Sequence, residues 1–361
     1  MKALITGITG QDGYFLSQYL LKKGYEVHGL VRRNSNMTKG TFDLLPKNIQ
    51  EQINIDYGDI MDESYIYNLI KKEKFDELYH LAAQSFVAYS FENPASTYDI
   101  NIGGTLNVVN AIKDGNSDTR MYFAATSELF GKPKTSPQNE ETPLQPQSPY
   151  SISKLAGYWT CKDYRNAYKL FISNGILFNH ESEVRGPEFV TRKISLHVAK
   201  VSLGSNDVLE LGNLNAVKDW GYAGDYVIAM NKILEYDIPD DFVIGTGESH
   251  TVRDFVNEAY KVIGIDLQWV GSGVNEVGLY NDKTLVRVNK RFYRPLESDN
   301  YRADYSKAKK KLNWEPKIKF DKLVKLMVDA DINKLKKINF INFISYIIES
   351  SSYYTRFEFL V

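Results

Sequence analysis

"KALITGITGQDGYFLSQYLLKKG", residues 2–24, decides the fold. Residues 2–6 are a short apolar run, read as a buried strand. Gly7, Gly10 and Gly13 follow in a G-x-x-G-x-x-G spacing. Glycine here lets the backbone turn tightly and approach a pyrophosphate, whose charge sits well at a helix N-terminus. The next stretch reads as a helix, because Phe15, Leu16, Tyr19 and Leu20 share one face and Gly24 supplies a stop. Glycines also end strands for plain turn reasons, so the loop gains its meaning from position: it joins the first strand to the first helix.

Outward from this unit the pattern repeats. "YEVHGLVRR", "INIDYGDI", "ELYHLAA", "RMYFAAT" and "FISNGILFN" read as further strands. Helical stretches such as "STYDINIGGTLNVVNAIKDG" and "YSISKLAGYWTCKDYRNAYK" lie between them. Alternation over about 180 residues predicts an α/β fold with a Rossmann-type, doubly wound parallel sheet. After Asn179 the rhythm breaks, which predicts a smaller, discontinuous C-terminal lobe. The expected division is residues 1–178, with returning segments near 219–247, for the Rossmann domain, and 179–218 with 248–337 for the second lobe. "DDFVIGTGES" is expected to return to the main sheet as a strand. Residues 267–305 read as polar, aromatic and irregular. "YSKAKKKLNWEP" and "KLVKLMVDADINKLKK" read as surface helices, their charge runs as solvated faces. Residues 338–361 form an apolar, aromatic tail of no evident role.

Composition narrows the function classes. The 361 residues are 43% apolar and 25% charged, as in ordinary globular proteins. A formal net charge of −1 gives no electrostatic footprint for nucleic acid or an anionic membrane. One cysteine, Cys161, excludes an intramolecular disulfide and a thiolate cluster, and the five histidines lack ligand spacing, so no metal is expected. No leader or membrane-spanning run is read from the sequence, and a reducing cytoplasm is the expectation.

The chemistry-bearing residues lie in two places. "SPYSISKLAGYW" carries Tyr150 and Lys154, four residues apart and so on one helical face. A phenol is a poor base at neutral pH, and a neighbouring ammonium makes its phenolate accessible. The phenolate can then take the proton of a substrate alcohol while hydride leaves the same carbon. "AATSELFG", residues 124–131, supplies a hydroxyl, Thr126, and a carboxylate, Glu128. A plain alcohol dehydrogenase needs no second base; the alternative reading of Glu128 is a helix-start carboxylate. Arg32-Arg33 at the end of the second strand suits a 2′-phosphate, hence NADP, or is a solvated strand end. Asp59 after the third strand is an adenine contact or a turn aspartate.

These motifs resemble those of the extended short-chain dehydrogenase/reductases and, more narrowly, of the GDP-mannose 4,6-dehydratase family. "ITGQDG", "TSELFG", "SPYSISKLAGYW", "LFNHES" and "DWGYAGDY" carry the resemblance, which spans roughly residues 1–335. It implies an internal redox cycle. Tyr150, Thr126 and Lys154 would oxidise C4 of GDP-mannose with NADP, Glu128 would take the C5 proton and expel the C6 hydroxyl as water, and C6 would be reduced. It also implies cofactor contacts from Gly7, Thr9, Gly10, Gln11, Asp12, Gly13, Arg32, Arg33, Asp59, Ile60, Leu81, Ala82, Ala83, Gln84, Ser85, Tyr150, Lys154, His180 and Arg185. The implied GDP-sugar contacts are Ser85, Thr126, Glu128, Asn179, Lys193, Gly212, Lys218, Arg253, Arg294 and Glu297.

The chain departs from the family at Phe86, where histidine is common, at Val184, usually arginine, and at Lys218, usually arginine. A related GDP-sugar such as a GDP-heptose is therefore the alternative substrate. A nucleotide-sugar reductase or epimerase and a non-catalytic NADP-binding protein are the competing functions. The family also implies a homodimer or homotetramer, with the loop after Arg33, "NSNMTKGTFDLLPK", reaching a neighbouring subunit.

Overall fold

Six parallel strands follow one another through the first half of the chain: β1 (Lys2–Thr6), β2 (Glu26–Val31), β3 (Ile53–Tyr57), β4 (Glu77–His80), β5 (Arg120–Thr126) and β6 (Ile172–Leu177). The strand Asp241–Ile244 joins them beside β6. The sheet order is Asp241–Ile244, β6, β5, β4, β1, β2, β3, all parallel. The structure, a computed structural model, describes residues 1–33, 39–293 and 300–355, with residues 339–355 as backbone only.

The sheet is apolar on both faces, which is why its strands read as continuous runs rather than alternating ones. Successive side chains point to opposite faces. Leu4, Leu78, Met121, Phe123 and Ile172 enter one core with Ile66, Val108, Ile112 and Tyr158 from helices Glu63–Glu73, Gly104–Gly115 and Pro149–Tyr168. Ala3, Ile5, Val27, Tyr122 and Phe242 enter the other with Leu16, Leu20, Val227 and Met230 from helices Gln11–Lys22 and Ala223–Glu235. This is the doubly wound architecture that the strand–helix alternation predicts.

The chain divides into two compact units. The first comprises Met1–Val184, Asn215–Val252 and residues 300–320; the second comprises Arg185–Leu214, Arg253–Tyr293 and the chain from Asp321 onward. Residues 300–320 thus pack with the sheet rather than in the second lobe. The reason is burial: Tyr301 and Ala303 belong to one core of the sheet, and Ala308, Leu312 and Trp314 to the other.

Residues 267–305, expected to be irregular, contain strands. Gln268–Val270, Val277–Tyr280 and Lys283–Val288 form an antiparallel meander, and Leu209–Leu211 adds to it in parallel. These strands are short and half-buried, so their period-two signal is too brief to read. The helix Phe320–Thr355 is not wholly a surface element either: Leu323, Val324, Met327 and Val328 are buried. Within the second unit, buried Asp331 pairs with Arg192 at 2.7 Å and accepts a hydrogen bond from Ser195 at 2.7 Å. Among the described residues no helix is long and apolar enough to cross a membrane, and no group of three or more His, Cys, Asp or Glu could hold a metal ion.

Candidate active site

The glycine loop is a cradle with no room for side chains at two points. Gly7 has φ +77°, and a Cβ there would lie 2.7 Å from the Ala82 nitrogen; a Cβ on Gly13 would lie 2.4 Å from the Ile8 Cα. The loop therefore lies against the 81–82 backbone on one side while the helix packs back on it on the other. Gly10 is the N-cap of helix Gln11–Lys22, and no side chain caps it. The loop is also clamped from outside, because Thr41 donates its hydroxyl to the Gly10 carbonyl at 2.6 Å and its amide to the Thr9 carbonyl at 3.0 Å. Part of the loop after Arg33 thus folds onto its own glycine loop; residues 34–38 lie outside the described residues.

Tyr150 and Lys154 come from the helix Pro149–Tyr168. Its start is well specified, with Pro149 in the first turn and a capping box in which Ser148 and Ser151 bond reciprocally at 3.0 and 2.9 Å. Both side chains are buried. Lys154 Nζ donates to the Ala124 carbonyl on β5 at 2.8 Å, which fixes the helix against the strand that ends in Thr126. Burial lowers the Lys154 ammonium from 10.5 to about 8, against the raising influence of Cys161 and Asp12.

Glu128 lies in the 3-10 turn Ser127–Phe130, directly after β5. Thr126 caps this turn by accepting the Glu128 amide at 3.2 Å. Buried Leu129 and Phe130 anchor it, and the Tyr301 hydroxyl donates to the Gly131 carbonyl at 2.9 Å. Glu128 Oε1 lies 3.5 Å from Lys218 Nζ, with side chains 20% and 14% exposed. The carboxylate is therefore turned into the protein rather than out to solvent. Lys218, expected among the GDP contacts, has this carboxylate as its partner.

Residues 81–85 are tied to the same helix by a buried network. Asn101 accepts the Gln84 amide at 2.8 Å and donates to the Gln84 carbonyl at 3.0 Å and to Ser153 Oγ at 2.9 Å. Ser153 Oγ in turn donates to the Tyr150 carbonyl at 2.7 Å. Below it, Thr6 Oγ1 lies 2.8 Å from His80 Nδ1, and His80 Nε2 lies 3.1 Å from Thr105 Oγ1. Burial lowers His80 to about 3, so its ring is neutral. Leu81 and Ala82 hydrogen-bond to Thr6, Ala83 is half-buried, and Ser85 is exposed.

His180 follows β6. Its Nδ1–H donates to the Phe178 carbonyl at 2.9 Å, its Nε2 lies 3.0 Å from each Asp12 carboxylate oxygen, and its ring stacks on Tyr226 at 4.6 Å. Gln11 donates to the His180 carbonyl at 3.0 Å and accepts from Ser182 at 2.7 Å. Gln11, Asp12, His180 and Ser182 thus form one hydrogen-bonded group, and Asn179 pairs with Trp220 in the short strand Asn179–Glu181. Arg32 and Arg33 are exposed at the end of β2. Asp59 accepts the Met61 amide at 3.0 Å, the turn role, and Ile60 is buried with its carbonyl accepting from Asn107 at 2.9 Å.

Lys193, Gly212, Arg253 and Arg185 belong to the second unit. Lys193 Nζ donates to the Glu210 carbonyl at 2.5 Å and sits 3.7 Å from the Phe292 ring centre, and burial lowers its ammonium. Gly212 packs on the same residue: a Cβ there would lie 2.4 Å from the Phe292 carbonyl oxygen. Arg253 pairs with both carboxylate oxygens of Glu276 and stacks over Trp269 at 4.7 Å. Arg185 stacks on Phe189 at 3.6 Å, and its carbonyl accepts from Arg192 at 3.2 Å. Arg294 and Glu297 lie outside the described residues.

Thr41, Asn101 and Tyr301 escape sequence reasoning. Each makes its contact through a hydroxyl or amide to a residue distant in sequence, and such pairings leave no local signature.

The GDP-mannose 4,6 dehydratase family profile matches residues 4–327. GDP-mannose 4,6 dehydratases of Cricetulus griseus and Homo sapiens are each 48% identical over 342 residues, covering 92% of this chain and 92% of theirs. Among solved structures, a Thermus thermophilus UDP-glucose 4-epimerase in complex with NAD matches with a TM-score of 0.76 at 24% identity, over 92% of this chain and 99% of that one.

Proposed function

The chain belongs to the GDP-mannose 4,6-dehydratase family, and on that premise we propose that it converts GDP-mannose to GDP-4-keto-6-deoxymannose as a hydro-lyase with NADP. The observation that carries this reading is Glu128. A carboxylate turned inward on the turn after Thr126, on the strand that Lys154 grips, is a base that simple oxidation does not require.

A nicotinamide dinucleotide, when bound, would supply a hydride acceptor for C4 oxidation and the hydride donor for C6. The chain's residues fit such a group: a tight glycine turn, in which a Cβ on Gly7 or Gly13 would strike the chain's own backbone, leads into a helix N-terminus at Gly10 that no side chain caps. Arg32 and Arg33, exposed at the end of the strand beside β1, support a 2′-phosphate and hence NADP over NAD.

Tyr150 takes the proton of the C4 hydroxyl, Lys154 stabilises the phenolate, and Thr126 hydrogen-bonds the same substrate oxygen. The ketone at C4 acidifies C5–H. Glu128 accepts that proton and passes it to the C6 hydroxyl, which leaves as water. C5 finally regains a proton, equal in number to the one released from the C4 hydroxyl, so the net change is loss of one water. Asn179, Lys193, Gly212, Arg253, Arg294 and Glu297 are the proposed GDP-sugar contacts. A cytoplasmic setting suits the single, buried Cys161.

We also read the chain as a homodimer or homotetramer. Leu106, Ile152 and Trp159 are 40%, 43% and 54% exposed on the packed helices Gly104–Gly115 and Pro149–Tyr168. Sedimentation at micromolar concentration tests this; a monomer would refute it.

The deciding experiment incubates purified protein with GDP-mannose and either NADP or NAD, and weighs the product. The expected product is lighter by one water, with NADP preferred. A panel of other GDP- and UDP-sugars tests the substrate. Glu128→Gln is expected to stop water loss while C4 oxidation continues. Undiminished dehydration by that variant removes Glu128 from its role.

A further inference from the structure

Glu128 sits on a turn that is fastened at three points. Thr126 accepts the Glu128 amide at 3.2 Å, and the Leu129 carbonyl accepts the Gln145 amide at 2.8 Å. The third point is the exit of the turn. Gly131 is buried with φ +62°, and a Cβ there would lie 1.7 Å from the Gln145 carbonyl oxygen, so the chain can leave this tightly only through glycine. The Gly131 carbonyl accepts the Tyr301 hydroxyl at 2.9 Å, across 170 residues.

Tyr301 is itself held firmly. It is 1% exposed, and its ring packs edge-on against Phe178 at 6.3 Å; Phe130 of the turn packs on the same Phe178 at 6.0 Å. The Tyr301 carbonyl accepts the Ser249 hydroxyl at 2.9 Å. Its neighbours are bound by the fully buried Gln138, whose side chain donates to the Asn300 carbonyl at 3.1 Å and accepts the Arg302 amide at 3.0 Å. The Gln138 amide donates to the Arg302 carbonyl at 2.8 Å, and the Ala303 amide donates to buried Asp219 at 3.0 Å. A tyrosine this enclosed offers no surface to a substrate, and its hydroxyl serves the Glu128 turn.

We propose that Tyr301 is a positioning residue of the elimination step, its hydroxyl fixing the exit of the Glu128 turn and thereby the carboxylate that takes the C5 proton. This rests on the reading of Glu128 as the base. The two chemical steps ask different things of the turn. C4 oxidation uses Tyr150 and Lys154 on a separate helix and Thr126, which precedes the turn on β5. Elimination needs the Glu128 carboxylate within reach of C5–H and then of the C6 oxygen. The electron pair of C5–H becomes the second C5–C6 bond, the C6–O bond breaks toward oxygen, and the proton held by Glu128 leaves with that oxygen as water. One side chain serves two atoms, so a small displacement of its backbone harms both transfers. A loosened turn therefore slows water loss and spares oxidation.

The test uses the NADP-loaded enzyme in single turnover with GDP-mannose, quenched with acid and weighed. C4 oxidation alone gives a species lighter by two hydrogens, and elimination gives one lighter by water. Tyr301→Phe removes the hydroxyl and keeps the ring in its packing. Water loss is expected to slow about tenfold relative to C4 oxidation, so that the two-hydrogen species accumulates. Tyr25→Phe is the control: it removes another buried tyrosine hydroxyl of the same unit, one bonded to Glu77 at 3.3 Å, and is expected to keep the wild-type partition between the two species. A wild-type partition in Tyr301→Phe overturns the proposal. An equal fall in both steps, or the same shift in Tyr25→Phe, overturns it too and makes the hydroxyl a matter of stability alone. Glu128→Gln run alongside separates the two ideas. If that variant still loses water, the base reading fails; if it is blocked while Tyr301→Phe keeps the wild-type partition, only the role of Tyr301 fails.

Discussion

The two units treat their charged residues differently. In the first, the candidate catalytic groups are fixed by the scaffold: Lys154 by the Ala124 carbonyl, the Tyr150 helix by its capping box and Ser153, and Glu128 by Thr126 and Lys218. In the second, the candidate binding cations are engaged with groups that a ligand would have to replace or join: Lys193 with the Glu210 carbonyl and Arg253 with the Glu276 carboxylate. The contrast teaches a division of labour. On the proposed roles, groups that move protons are built in place by folding, whereas groups that hold phosphate would exchange one partner for another, so that their net contribution to affinity is smaller than their charge suggests.

Substitution in the first unit should change rate by the largest factor. Tyr150→Phe is expected to cut C4 oxidation by about 10³-fold or more, with GDP affinity intact; loss of affinity instead of rate would blur the division. Next comes the buried pair inside the second unit. Arg192→Met strands Asp331, whose carboxyl burial already raises, and should cost about 3–5 kcal/mol of stability in chemical denaturation. A cost near zero would mean that the pair is not holding the helices Val190–Ser202 and Phe320–Thr355 together.

Lys154 sharpens the comparison because function and stability oppose each other there. Its folded pKa of about 8 lies below the ordinary 10.5, so the folded state disfavours the proton. The penalty is fully present below pH 8, shrinks as pH rises from about 8 to 10.5, and vanishes above that. Lys154→Met should therefore abolish turnover yet raise stability at pH 7 by up to about 3 kcal/mol, a gain that fades at high pH. A destabilised variant at neutral pH would show that the bond to Ala124 outweighs burial. The smallest effect is expected from Lys193→Met, which trades one cation already bonded to Glu210. About a tenfold loss of GDP affinity with no change in turnover at saturation is the expected outcome; a change in turnover would move Lys193 out of the binding class.

Much of the first unit was legible in the sequence because its information is local. A strand, three glycines and an amphipathic helix are neighbours in residues 2–24, and Tyr150 and Lys154 share a face through helical spacing alone. The parallel sheet followed from alternation, and the strand Asp241–Ile244 from its apolar run. The misread parts depend on distant partners. Short strands between 268 and 288 become strands only when paired with each other and with Leu209–Leu211. The alliance of Lys218 with Glu128 spans 90 residues, and the Asn101 bridge depends on the Gln84 and Ser153 contacts together. Neither leaves a trace in spacing. Asp59 was readable either as a ligand contact or as a turn residue, and its bond to Met61 is the turn one.

The return of residues 300–320 to the sheet has a consequence for biosynthesis. Tyr301 braces the Glu128 turn, and Trp314 Nε1 donates to the Asp225 carbonyl at 3.0 Å, both fully inside the first unit. A nascent chain on the ribosome can lay down β1 to β6 early, but it must wait for residues 301–314 before that half is sealed. A message cut short before codon 301 would yield a polypeptide with two open seams, a substrate for chaperones and proteases rather than an enzyme lacking only its tail.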